Sequence, residues 1–174
     1  SSTYLYARYM AQTGRVEQAT KALEENLEYF GESRAAHREY LSLLYFNENW
    51  DKIISHIEKY PLMFAYDPGL LEIKGLAYVQ KDLIPEAISV FKNVLYIAKG
   101  DSAMEVRALS VLGDLSYQAG NRKDAYKYYR KTISKAPTYN PVLNNYAYYL
   151  SLEGKQLDKA YKMSKKTVDS EPDN

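Results

Sequence analysis

Small residues recur along this chain at an interval near 34, and that period constrains its fold more than any other feature. One ladder reads Ala19, Ile53, Ala87, Ala125 and Ala160, with spacings of 34, 34, 38 and 35. A second ladder, 12 or 13 residues upstream, reads Ala7, Leu41, Gly75, Gly113 and Ala147, with spacings of 34, 34, 38 and 34. A turn lies between the two ladders. Gly14, Gly120 and Gly154 mark it in three units, and the tripeptides 47–49 (NEN) and 81–83 (KDL) replace it in the other two. Two ladders in near step with a turn between them predict a helix–turn–helix unit repeated five times.

The local chemistry agrees. Val106, Leu109, Leu112 and Leu115 recur every third residue and share one helix face. Gly113 costs about 1 kcal/mol against Ala inside a helix, so its presence predicts a close approach by a neighbouring helix. In the next helix Ala125, Tyr129 and Ile133 follow at four-residue spacing, which aims Tyr129 at the core. Tyr126, one residue past Ala125, is expected to pack against the following unit, and Lys127 and Tyr128 to face outward. Pro137 and Pro172 end second helices, and Pro61 should shorten the second helix of unit two. Asp67 and Asn140, each followed by proline, read as helix N-caps.

Residues 106–139 resemble a tetratricopeptide repeat (TPR), through Leu112-Gly113, Gly120, Ala125, Tyr129 and Pro137. Residues 140–174 resemble it through Ala147, Gly154, Ala160 and Pro172, with one extra residue in the turn. Residues 1–33 match through Ala7, Gly14 and Ala19. Residues 68–105 match through Gly75, Tyr78, Ala87 and Phe91, with about four extra residues after the second helix. Residues 34–67 depart from the pattern, because Leu41 and Ile53 replace its small residues. The resemblance covers essentially the whole chain. It implies an all-α, right-handed superhelical solenoid of about five units. The last unit also looks like TPR arrays of bacterial cell-envelope proteins.

In TPR proteins the first helices line a concave groove that receives an extended peptide or a helix of a partner. Carried onto this chain, the resemblance places Tyr4, Arg38, Glu72 and Asn144 three residues before the upstream landmarks. Arg8, Ser42, Asp114 and Tyr148 lie one residue after them, and Tyr45 and Tyr117 four after. Helical spacing puts these on one face. Tyr and Arg are the types enriched at interface hot spots. The Lys/Asn/Arg clamp with which some TPR domains grip a chaperone's C-terminus is missing, since Tyr4, Arg8 and Glu39 stand at its early positions. The resemblance thus implies a protein or peptide partner; an architectural spacer or oligomerisation segment is the alternative. The chain ends where one repeat usually passes to the next, so we expect the native protein to continue or this end to pack on a partner or a second copy.

Other function classes find less support. Tyr126, Tyr128 and Tyr129 interleave with Arg122, Lys123, Lys127, Arg130, Lys131 and Lys135, a mixture that can hold nucleic acid. Yet the net charge is only +1, and the periodicity explains these residues as one core edge and one solvated helix face, so no nucleic acid is expected. His37 and His56 lie on different helices and read as packing residues. No nucleophile elbow, phosphate loop or metal-ligand spacing occurs, so neither enzyme activity, cofactor nor metal is expected. There is no cysteine, and no apolar run approaches the ~18 residues that span a bilayer. The 19 tyrosines call for an architectural explanation: a ring can fill the gap between stacked helices while its hydroxyl reaches the edge.

Overall fold

The computed structural model describes residues 9–10, 12–30, 33–154 and 162–166. Among the described residues Tyr9, Met10 and Gln12 are helical, ten helices follow, and residues 162–166 are helical again. They are α1 (Val16–Glu25), α2 (Leu27–Phe30), α3 (Arg34–Phe46), α4 (Trp50–Lys59), α5 (Pro61–Phe64), α6 (Pro68–Gln80), α7 (Ile84–Ile97), α8 (Ser102–Gln118), α9 (Arg122–Lys135) and α10 (Asn140–Leu152). No strand occurs among the described residues. Two compact units divide the chain at Val90, inside α7.

Both ladders point inward. Ala19, Ile53, Ala87 and Ala125 are wholly buried, as are Leu41, Gly75, Gly113 and Ala147 or nearly so. Ala7 and Ala160 lie outside the described residues. In the first unit α1 packs on α3, α3 on α4, and α4 on α6, while α3 also lies beside α6. In the second unit α8 packs along α9, and both touch α10. Thus α3 meets its own second helix, α4, and the next first helix, α6, and α8 likewise meets α9 and α10. The α3–α4 and α8–α9 hairpins each hide an apolar face against the next helix that they could not hide alone.

The turns show why the period survives without glycine. Gly14 and Gly120 take φ of 81° and 83°, the left-handed region, and Glu48 and Asp82 take 58° at the corresponding positions of the other hairpins. The bonding is the same at each. Asn49 N–H donates to the Leu44 carbonyl, Leu83 to Tyr78 and Asn121 to Ser116, all at 2.9 Å, and Arg15 to Met10 at 2.8 Å. This pattern closes a helix C-terminus and redirects the chain. Glu48 and Asp82 hold it at a steric cost of about 1 kcal/mol each.

Pro61 divides the second helix of unit two: α4 ends at Lys59, Tyr60 leaves helical geometry, and Pro61 starts α5. Asp67 caps α6, its carboxylate accepting from Leu70 N at 3.2 Å. Asn140 is not the N-cap. The helix begins one residue earlier than the sequence suggests, because the Tyr139 carbonyl already accepts the first helical bonds from Val142 and Leu143. At the other repeat junction α8 starts at Ser102, with Asp101 capping it through Met104 N at 3.1 Å.

Gly113 shows the close approach in detail. A Cβ there would overlap Tyr129 Cε1, lie 2.5 Å from Cδ1 and 3.2 Å from Cζ. The Cδ1–Cε1 edge of the Tyr129 ring therefore lies close against the α8 backbone. With Ala125, Val142, Tyr146, Ala147 and Leu150 it forms a buried cluster joining α9 to α10. Burying one such side chain contributes roughly 1.5–3 kcal/mol.

Candidate partner-binding site

Tyr4 and Arg8 lie outside the described residues. The other eight predicted site residues all fall on first helices: Arg38, Ser42 and Tyr45 on α3, Glu72 on α6, Asp114 and Tyr117 on α8, and Asn144 and Tyr148 on α10. Their environments differ sharply.

In the first unit, the Arg38 guanidinium lies 3.3 Å from Asp67 Oδ2, and Arg34 reaches the same oxygen at 3.7 Å. Asp67 is almost enclosed, with 12% of its side chain exposed, whereas Arg38 keeps 62%. The carboxylate is held by the α6 N-terminus, where the helix dipole favours negative charge. It in turn orients two cations at the surface. Ser42 is exposed and donates to the Arg38 carbonyl at 2.9 Å, so its oxygen keeps acceptor capacity. Tyr45 stands edge-on against Trp50, with ring centres 5.3 Å apart, and is 38% exposed. Glu72 is half-buried on α6.

The second unit holds a tyrosine assembly. Tyr117 stacks on Tyr149, with centres 3.7 Å apart and planes within 13°. Tyr126 stacks on Tyr146 at 5.2 Å, which is the packing on the following repeat that its sequence position suggests. Tyr129 is fully buried, donates its hydroxyl to Asp114 and contacts Tyr146 and Tyr149. Asn145 Nδ2 donates to the same Asp114 oxygen at 3.1 Å. Asp114 is therefore a strut between α8, α9 and α10. Burial raises its carboxyl above the usual range, and the two donated bonds pull it partly back. Burial first, then the Asp114 bond, pushes the Tyr129 phenol far up, so it remains a donor. Asn144 is exposed, and Tyr148 is 60% exposed with its ring tilted against Tyr149 at 5.6 Å.

Counting from the ladders missed Tyr149, Asn145 and Arg122. Arg122 pairs with Glu153 at 2.9 Å and stands over the Tyr117 ring at 5.9 Å. The Glu153 carboxylate is nearly enclosed, and burial followed by that carboxylate raises the Tyr126 phenol. The available signal was pairing one repeat apart: Asp114 and Asn145 are 31 residues apart, close to the repeat length. Among the described residues, no group of three or more His, Asp or Glu is placed to hold a metal ion, and no helix is long and apolar enough to cross a membrane.

Paired helices with buried small-residue ladders and left-handed interhelical turns define this class of protein: it has the TPR solenoid fold. Solved structures with the same architecture include MamA, at 18% identity and a TM-score of 0.84, where the match covers 95% of this chain and 94% of that one. YrrB, described as a TPR protein with an unusual peptide-binding site, matches at 16% identity and a TM-score of 0.76, covering 99% and 86%. PilF of Pseudomonas aeruginosa matches at 19% and 0.71, covering 97% and 74%. No protein-family model matches the chain, and no curated protein matches its sequence.

Proposed function

We propose that this chain is a non-enzymatic protein-interaction scaffold that receives a peptide segment or a helix of a partner protein on the faces of its first helices. One observation carries the reading: on helices whose ladder positions are buried, Arg38, Ser42, Tyr45, Asn144 and Tyr148 stay exposed and several are held in place from behind. Trp50 backs Tyr45, Tyr149 backs Tyr148, and Asp67 orients Arg38. Rings and cations fixed before binding lose less entropy on capture, which otherwise costs about 0.5–1.5 kcal/mol per side chain. The peptide-binding site in YrrB's description adds support at the level of fold alone.

The basic helix α9 offers nucleic acid a poorer surface. Tyr129 is buried and Tyr126 is stacked on Tyr146, so neither ring is free for a base. Arg122 pairs with Glu153, and Lys135 with Glu105 at 3.0 Å.

Affinity capture from native lysate tests the proposal, comparing the wild type with a Tyr45→Ala/Asn144→Ala/Tyr148→Ala variant of unchanged circular dichroism. Loss of specific partners in the variant supports it. Equal capture by both would favour an architectural role, and nucleic acid shifted in mobility by both at low salt would favour α9.

A further inference from the structure

Helix α10 carries no charged side chain over its 13 residues, yet one side of it is open to solvent. Asn144 is exposed, Tyr148 is 60% exposed and Tyr149 is half-buried. On the neighbouring α8, the only charge between Ala108 and Asn121 is Asp114, which Tyr129 and Asn145 already bind. Where α10 ends, Glu153 is paired with Arg122 of α9. The second unit therefore exposes a face that is polar without being ionic.

Its polar groups are unengaged. Among the described residues, the hydroxyls of Tyr117, Tyr148 and Tyr149 and the side-chain amide of Asn144 make no hydrogen bond to the protein. Tyr117 and Tyr149 stack on each other with centres 3.7 Å apart, which covers a face of each ring and leaves edges and hydroxyls. Tyr148 leans at 55° to Tyr149 and is the most exposed ring of the three. Aromatic edges carry positive potential and attract carbonyl oxygens, while an exposed ring offers an apolar body to an aliphatic group.

A charged segment would lose hydration here without gaining a counter-charge. A partner helix satisfies its carbonyls internally and would leave the phenols and the amide unpaired. A polyproline II segment has no internal hydrogen bonds, so its carbonyls stay available. Proline also removes backbone N–H groups, so acceptors outnumber donors. That excess complements the donors of three phenols and one amide. Such a segment is extended before it binds, which limits the entropy lost on docking.

We propose that the face formed by Tyr117, Asn144, Tyr148 and Tyr149 docks an uncharged, proline-rich segment of a partner protein in the polyproline II conformation. The inference rests on the reading of first helices as binding faces and narrows it for the second unit. Proline rings pack on Tyr148, and carbonyls of the segment accept from the phenols and from Asn144.

NMR titration of the isotope-labelled full chain with acetylated, amidated nonaproline tests it, at low and high salt. Saturable shifts at the four residues are expected, with an affinity that salt leaves unchanged because no ion pair forms. Tyr148→Ala, at an exposed position, should weaken binding about tenfold. Should that variant not fold, Asn144→Ala decides, with a loss of about threefold. Absence of binding, shifts confined to other residues, equal affinity in the folded variant, or equal affinity for an uncharged Gly-Ser peptide of the same length would overturn the inference. So would an amphipathic helical peptide or a cello-oligosaccharide that occupies the four residues when nonaproline does not. The helical peptide would leave the first-helix reading standing, since that reading fails separately, by equal capture in the lysate comparison.

Discussion

Adding one methyl group at Gly113 should be among the most damaging small changes to the second unit. Inside an exposed helix, Gly→Ala stabilises by about 1 kcal/mol. Here the new Cβ would meet Tyr129 Cε1 and Cδ1, the latter at 2.5 Å, and those atoms belong to a ring rather than to a flexible chain end. The ring has no room to retreat, being fully buried and packed on Tyr146 at 5.6 Å. Any shift also pulls its hydroxyl from Asp114. Overpacking costs about 1–3 kcal/mol, and a strained or lost bond to a charged acceptor roughly 1.5–3. After the propensity gain, the net loss is about 1.5–5 kcal/mol, or roughly 3–20 °C in melting temperature for a chain of this size. Thermal unfolding by circular dichroism, with hydrogen exchange assigning the loss to α8–α10, measures it. A double-mutant cycle sharpens the result. In a Tyr129→Ala background the clash is gone, so Gly113→Ala should change sign and stabilise by about 1 kcal/mol. A neutral or stabilising Gly113→Ala in the wild type would refute the close approach of α8 and α9.

Two further outcomes follow from the turns and the buried strut. Glu48→Gly and Asp82→Gly should each raise stability by about 0.5–1 kcal/mol in denaturant titrations, since both residues hold a left-handed φ of 58° that glycine adopts without penalty. Asp114→Ala should cost about 1–3 kcal/mol by leaving the Tyr129 hydroxyl buried without its acceptor, whereas Asp114→Asn keeps an acceptor and should cost less. Because the folded Asp114 carboxyl is raised, its ionisation lowers stability as pH climbs through that raised value; the Asn variant should lack this loss in stability curves measured against pH.

The fold was legible because its signal repeats. Any one Ala or Gly is ambiguous, but Ala19, Ile53, Ala87 and Ala125 in step leave little freedom, and all four are buried. Gly113 was readable for a similar reason: a helix-weakening residue amid Val106, Leu109, Leu112 and Leu115 needs a packing cause, and Tyr129 is that cause. The helix to which each of the eight described site residues belongs was also legible. What its side chain does there was not. Asp114 and Tyr148 hold the same register position, yet one is a half-buried strut and the other is exposed. Register fixes a direction; the neighbour's side chain decides whether that direction leads to solvent. The histidine pair was invisible for a related reason. His37 and His56 are 19 residues apart on different helices, and their meeting depends on how α3 packs on α4.

We propose that partners are read by first-helix faces. Site-specific photo-crosslinking locates the contact, with benzoylphenylalanine incorporated in place of Tyr45 or Tyr148 and, as controls, in place of Lys127 or Tyr128 on α9. Covalent adducts with protein partners in native lysate are expected from the Tyr45 and Tyr148 positions and none from α9. Adducts from the α9 positions, or none from Tyr45 and Tyr148, would contradict the proposal.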